Sequence, residues 1–317
     1  MNCQDTARFL REHDNYLILT HKRPDGDTIG CAVALAELLR GLGKTAWLLE
    51  SRDATRIFQE YLAGQYAPED YAPDTVVSVD VATENLLPPN AEGYRGRIDL
   101  AIDHHPSQEF FAKNTWVEPD KAACGELICA LAQELGGLNE KVATALYVAV
   151  STDTGCFAYS NTSANAHRVA AALMEAGAPV QRLNKKHFRT KTMARMALES
   201  LIIQNMKLYQ GGSVAIAPIS LDMMARAGAT DDDTEDIAAF VGQVEGVRHS
   251  ATIRELRAGE CKISLRTDPD LLDACAVCAR LGGGGHKAAS GCTVYGTMEE
   301  AWRAIVGAIE EEMGVGN

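Results

Sequence analysis

The sequence predicts an α/β fold: a parallel, doubly wound sheet over residues 1–189, a linker helix over 190–205, and a smaller mixed α+β unit over 206–317. Three observations predict it. Short apolar runs alternate with helical patterns through the first part, as in a parallel sheet whose crossovers are helices. The pattern breaks at Gly177-Ala178-Pro179, and closely spaced strand pairs follow. Acidic and imidazole side chains stand just after the apolar runs of the first part, at the sheet edge where open α/β folds bind ligands.

Residues 1–13 read as an amphipathic helix with Phe9 and Leu10 inward, not as a signal peptide. Strands are expected at 16–20, 45–49, 75–80 and 98–102, and helices at 28–42, 53–62, 124–135, 140–150 and 163–176. Gly41 and Gly43 stop the first long helix, Gly136-Gly137 a later one, and Ser163 is a good N-cap. The 190–205 helix is rich in Met, Ala and Leu. Beyond it, strands at 207–210 and 213–217 flank the turn Gln210-Gly211-Gly212-Ser213, and strands at 251–256 and 261–267 flank Arg257-Ala258-Gly259-Glu260. Helices are expected at 230–241, 269–280 and 298–311, with Asp231-Asp232-Asp233 complementing a helix start.

A chain of 317 residues has room for two cores. Its apolar content of 46% and charged content of 23% are those of a globular protein rather than a disordered one. The formal net charge of −13 argues against tracking long nucleic acid by phosphate neutralisation. It leaves room for a short nucleotide in a local basic pocket, and it suits carboxylates gathered around cations. No apolar run approaches a membrane span. Nine scattered cysteines, an odd number, fit reduced thiols in the cytoplasm better than a disulfide framework. Cys275-Ala276-Val277-Cys278 has no second pair and reads as core helix.

The stretch Thr20-His21-Lys22-Arg23-Pro24-Asp25-Gly26-Asp27 carries the chemistry. It places an imidazole and two carboxylates on a strand-to-helix loop, a ligand set for divalent metals. Pro24 stiffens the loop, and Gly26 lets the two aspartates be aimed without a Cβ clash. The plainer reading is a polar turn with an N-cap aspartate. Three more segments repeat the pattern: Asp80 after Val76-Val77-Ser78-Val79, Asp103-His104-His105 after 98–102, and Asp153-Thr154-Gly155 at a helix end. A carboxylate at a helix C-terminus opposes the dipole and is costly without a cation nearby. His21, Asp25, Asp27, Asp80, His104 and Asp153 can meet along one sheet edge. Oxygen and nitrogen ligands without cysteine suit two ions such as Mn²⁺ or Mg²⁺, and the imidazoles favour Mn²⁺.

Together these motifs resemble the DHH phosphoesterase family. Asp103-His104-His105 matches its triplet; His21-x-x-Pro24-Asp25-x-Asp27, Asp80 and Asp153-Thr154-Gly155 stand in the family's order. In the second part, Ser264-Leu265-Arg266 and the run Gly282 to Gly285, followed by His286-Lys287-Ala288-Ala289-Ser290-Gly291, resemble the substrate-binding motifs of the DHH-associated domain. The resemblance covers nearly the whole chain. It implies a catalytic metal-binding domain at 1–189 and a substrate-binding domain at 206–317.

By that resemblance one cation takes His21, Asp25 and Asp80, and the other Asp27, Asp80, His104 and Asp153. Asp103 orients an imidazole and His105 faces the phosphate. The glycine run, with Gly283, Gly284 and Gly285, is expected to expose successive N–H groups to an anion. Arg266 offers a bidentate fork and His286 a further donor. Length and layout resemble the family's branch that hydrolyses short oligoribonucleotides (nanoRNA) to mononucleotides and 3′-phosphoadenosine 5′-phosphate (pAp) to AMP. The alternatives are hydrolysis of linear dinucleotides such as pApA and pGpG, and a non-catalytic nucleotide sensor. A homodimer is a family-level expectation.

Overall fold

Apolar runs become buried strands in the order expected. The computed structural model describes residues 1–234 and 237–314. Positions 235–236, inside the helix expected at 230–241, and 315–317, at the end of the second expected domain, lie outside the described residues. The chain divides into two units, Met1–Thr190 and Lys191–Asn317.

The first unit runs α1 (Cys3–Glu12), β1 (Tyr16–Leu19), α2 (Gly26–Gly41), β2 (Ala46–Leu48), α3 (Gln59–Leu62), β3 (Thr75–Val79), β4 (Leu100–Asp103), β5 (Asn114–Val117), α4 (Cys124–Glu134), α5 (Glu140–Asp153), α6 (Ala164–Glu175) and α7 (Val180–Phe188). Its five strands are parallel, in the order β2-β1-β3-β4-β5. The chain leaves β1 to one side for β2 and returns to its other side for β3. The strand order therefore reverses between β1 and β3, which puts a crevice at their carboxyl ends.

Strand alternation sorts the core. Tyr16, Ile18, Val77 and Val79 pack with Leu35, Leu39, Leu127 and Leu146 of the helices. Leu17, Leu19 and Val76 face the other way, onto Val81, Leu87, Ala91 and Ile98. That second face is covered largely by short turns, including 3₁₀ turns at Glu84–Leu86 and Pro89–Tyr94. Asp25 caps α2 by accepting from Asp27 N and Thr28 N. Gly43, at φ +76°, ends the helix as its N–H and that of Lys44 return to Arg40 O and Leu39 O.

Gly26 has a different reason from the one expected. It begins α2 in helical conformation, and a Cβ there would lie 2.3 Å from Thr152 Oγ1 of α5. One turn on, a Cβ at Gly30 would lie 2.4 Å from Ala145 O, and at Gly125 of α4 2.8 Å from Ala149 Cβ. These three glycines let α5 pack against the backbones of α2 and α4.

Near the end of the unit, the His187 ring stacks on Phe58 and Tyr61 at 5.6 and 5.8 Å and shares a 2.8 Å hydrogen bond with Tyr61 OH. Burial, then the Lys186 charge, pushes its pKa down from 6.5 to about 4. The unfolded chain therefore takes up a proton that the folded chain refuses. Stability contributed by His187 is complete above pH 6.5 and is lost as the pH falls from there to about 4. Thermal melts of a His187→Phe variant are expected to fall less steeply over that interval than those of the parent.

The second unit runs α8 (Met193–Asn205), β6 (Lys207–Tyr209), β7 (Val214–Ile219), α9 (Leu221–Ala227), α10 (Ile237–Val241), β8 (His249–Arg257), β9 (Glu260–Arg266), α11 (Ala274–Ala279), β10 (Gly284–Gly285), β11 (Ala289–Val294) and α12 (Met298–Met313). Its mixed six-stranded sheet has the order β10-β11-β9-β8-β7-β6. The two expected hairpins are present, β6–β7 and β8–β9. The segment read as a linker forms α8, which packs inside this unit through Leu198 and Ile202 against Ala215 and Ala217. Asp231–Thr234 is a 3₁₀ turn rather than the start of a long helix, and Asp233 accepts from Thr230 N. All nine cysteines are free thiols, and Cys278 lies in the core on α11. Among the described residues no helix is long and apolar enough to cross a membrane.

Candidate metal centre

The ends of β1, β3 and β4, with the C-terminus of α5, deliver their polar side chains to one place. Three sets of ligand atoms lie within 4.8 Å of one another: His21, Asp25 and Asp80; Asp27, His104 and Asp153; Asp80, His104 and His105. All six expected ligands are thus brought together, although they span residues 21–153.

Asp80 is central. His21 Nε2 lies 3.9 Å from its Oδ2 and His104 Nε2 3.5 Å from its Oδ1, so its two oxygens face opposite imidazoles. Its backbone is in the left-handed region at φ +58°, which an aspartate tolerates better than bulkier residues. Its N–H donates to Ile102 O of the neighbouring strand. That conformation turns the carboxylate off the end of β3 into the crevice.

The remaining groups are held in place one by one. His21 Nδ1 is 2.9 Å from Lys22 O and His104 Nδ1 3.1 Å from Lys121 O. A carbonyl oxygen only accepts, so each Nδ1 carries a proton and each Nε2 is the ring nitrogen that faces the carboxylates. His104 Nε2 lies 3.8 Å from Asp27 and 3.7 Å from Asp153. Asp27 accepts from Cys124 N at 2.7 Å and Gly125 N at 3.0 Å, the first amides of α4. Sequence reading missed this anchor, because nothing local links residue 27 to residue 124. Asp25 serves both as the helix cap and as a member of the His21 set.

Asp103, fully buried, lies behind His105. Its Oδ1 accepts from His104 N, His105 N and His105 Nδ1, the last at 2.8 Å. Burial works against this carboxylate, but the His105 bonds outweigh it and hold its pKa below the usual range. Gln108, which sequence reading also missed, donates to Asp103 Oδ2.

The donor set fits a cation. Asp80 is 3% exposed, and its Oδ1 has no hydrogen-bond partner among the described residues. Burial, then the Asp27 and Asp25 charges, pushes its pKa well above the carboxylate range. Burial and the charge of Asp27 push Asp153 up to about 8, against the pull of His104. Carboxylates crowded at such cost are what a divalent ion relieves.

In the second unit the glycine run is not an open row of amides. Gly282 N donates to Ala279 O, Gly283 N to Cys278 O and His286 N to Ala289 O. A Cβ at Gly283 would lie 2.2 Å from Gly291 O, and one at Gly285 2.7 Å from Ala289 O. These two glycines are needed by the hairpin itself. Gly284 and Gly285 form the exposed edge of the sheet, and His286 is exposed beside them. Arg266 ends β9, pairing with Ser250 and Ala289. Its guanidinium donates to Leu265 O and, among the described residues, meets no carboxylate within salt-bridge distance.

Known proteins match this chain. The family model "DHH family, N-terminal domain" matches residues 15–150. A bifunctional oligoribonuclease and PAP phosphatase NrnA of Thermus thermophilus is 30% identical over 302 residues, which is 93% of this chain and 89% of that protein. The protein of the same name in Bacillus subtilis is 25% identical, over 95% and 96%. A crystal structure of an exopolyphosphatase-related protein from Bacteroides fragilis superposes with a TM-score of 0.89 at 22% identity, covering 99% and 96%, and shares the fold.

Proposed function

The chain belongs to the DHH phosphoesterase family, a class of metal-dependent hydrolases, and from that premise we propose that it hydrolyses short oligoribonucleotides to mononucleotides and pAp to AMP with two divalent cations, manganese in preference to magnesium. The observation that carries the reading is the buried Asp80 carboxylate, with one oxygen toward His21 and the other toward His104. The relatives named for these two activities are similar over nearly their whole length.

In this reading His21, Asp25 and Asp80 would hold one cation, and Asp27, Asp80, His104 and Asp153 the other, Asp80 belonging to both sets. Cations bound there supply Lewis acidity toward phosphoryl oxygens and acidify water near neutral pH. The chain's own groups do the rest. The Asp27 carboxylate is kept aimed by the α4 amides. His105, its Nδ1 proton committed to Asp103, turns Nε2 toward the phosphoryl group or gives the leaving oxygen a proton from Nε2. In the second unit Arg266 and His286, beside the Gly284–Gly285 edge, offer phosphate charge-assisted hydrogen bonds.

Two measurements test this. Phosphate and mononucleotide release from pAp, pApA, pGpG and three- to five-nucleotide RNA is expected only when manganese or magnesium is restored to chelator-treated protein, with pAp and short RNA turned over fastest. Preference for pGpG or pApA would overturn the substrate assignment, and release without metal would overturn the mechanism. Arg266→Ala is expected to raise KM for pAp by about 10-fold or more, as loss of a charge-assisted contact does, with a smaller effect on a generic aryl phosphodiester. Equal losses on both would reject the assigned grip.

A further inference from the structure

We propose that Gln108 is a positioning residue for phosphoester hydrolysis, its carboxamide holding Asp103 and, through Asp103, the His105 ring. The proposal rests on the functional reading above. Gln108 lies in the loop after β4 and is 6% exposed. Its Nε2 donates to Val81 O at 2.7 Å and to Asp103 Oδ2 at 2.8 Å, and its Oε1 accepts from Phe110 N at 2.9 Å. One side chain therefore ties together the residue after Asp80, the carboxylate behind His105, and the backbone of Phe110, held at φ +54°.

The chemistry of Asp103 explains why that donor is needed. Asp103 is 0% exposed, and three N–H groups of residues 104 and 105 already occupy Oδ1. Gln108 meets the other oxygen. Without its N–H, a buried carboxylate oxygen is left unpaired, and the carboxylate relieves this by turning toward another donor. Any such turn takes Oδ1 away from His105 Nδ1, so the ring loses the bond that fixes its tautomer and direction. The side chain must offer two N–H groups on one terminal atom and an acceptor on the other, as a carboxamide does. Glutamate lacks the donors, asparagine is one methylene short, and methionine matches the length with neither function.

The experiment uses Gln108→Met in the full chain. With manganese, kcat for three-nucleotide RNA is expected to fall about 10–100-fold, the usual cost of losing such a supporting partner, with KM little changed. In a His105→Ala background the same substitution is expected to cost nothing further, because Gln108 acts through that ring. A readout free of turnover is the His105 Nδ1 proton, which, hydrogen-bonded to a carboxylate, gives a downfield NMR line identified by its loss in His105→Ala. That line is expected in the unmutated metal-free protein and absent from Gln108→Met.

Unchanged kcat, an equal penalty with and without His105, a line retained in Gln108→Met, or no line in the parent would each overturn the proposal. Should Gln108→Met fail to fold, Gln108→Asn carries the same readouts. A parent protein that hydrolyses no phosphoester with any metal would remove the functional reading, and the NMR comparison would still decide the role of Gln108.

Discussion

Replacing Asp80 by asparagine is expected to cost more than about 100-fold in turnover, above the usual loss for an outer partner of a metal site, and to raise the melting temperature of the metal-free protein. The two effects have one cause. The Asp80 carboxylate is buried, lies among Asp27, Asp25 and Asp153, and among the described residues has one oxygen without a hydrogen-bond partner. Removing its charge relieves repulsion in the folded state, and asparagine accepts the left-handed backbone at φ +58°. Each kcal/mol relieved raises Tm by about 2–4 °C in a domain of this size. The same change removes the carboxylate that faces both histidines. Calorimetry of the metal-free protein, with and without added manganese, checks both halves. A variant that keeps its activity, or melts lower without metal, would show that Asp80 is a structural acid. A gain in stability on loss of activity is the usual mark of a site built against the fold's own preference.

The second large effect is on packing. Gly30→Val is expected to destabilise the first unit by more than about 3 kcal/mol, beyond the ordinary range for overpacking, which lowers Tm by roughly 6–12 °C. An added Cβ meets Ala145 O at 2.4 Å and Ala149 Cβ at 2.8 Å. The first is backbone, so relief requires α5 to slide. Even Gly30→Ala should destabilise. Alanine gains about 1 kcal/mol over glycine in a helix interior, but the clash costs about 1–3 kcal/mol. Sliding α5 also displaces Asp153 at its end, so metal affinity should fall with stability. Melting curves and manganese titrations of the two variants test this; an unchanged Tm for Gly30→Ala would mean that α2 and α5 are further apart than the structure has them.

Much of this architecture was legible in the sequence. Tyr16-Leu17-Ile18-Leu19 and Thr75-Val76-Val77-Ser78-Val79 announce buried strands because every apolar residue in them finds a core on one face or the other. The candidate ligands were legible because each follows such a run or ends a helix, where a charge is hard to explain otherwise. Other elements gave no signal. β5, Asn114-Thr115-Trp116-Val117, is an edge strand that fully buries only Trp116. α7 fully buries only Leu183 among charged neighbours. β11 is built of small residues, Ala289-Ser290-Gly291-Cys292, and the glycine run beside it read as a row of amides open to an anion rather than as part of a hairpin. Gly26 read as a local feature and Gly30 and Gly125 drew no reading, whereas the close neighbours of all three are Ala145, Ala149, Val150 and Thr152 of α5, more than twenty residues along the chain. Gln108 was invisible for the same reason: its partners, Val81 and Asp103, are adjacent only once β3 and β4 are paired.

The wide spacing of the candidate ligands bears on how the protein is made. Residues 21 and 153 bracket most of the first unit, so a nascent chain still lacking α5 has no complete cage for a second ion. A hydrolase that degrades short RNA would thus stay inert on the ribosome until the whole of its candidate metal centre had emerged and folded.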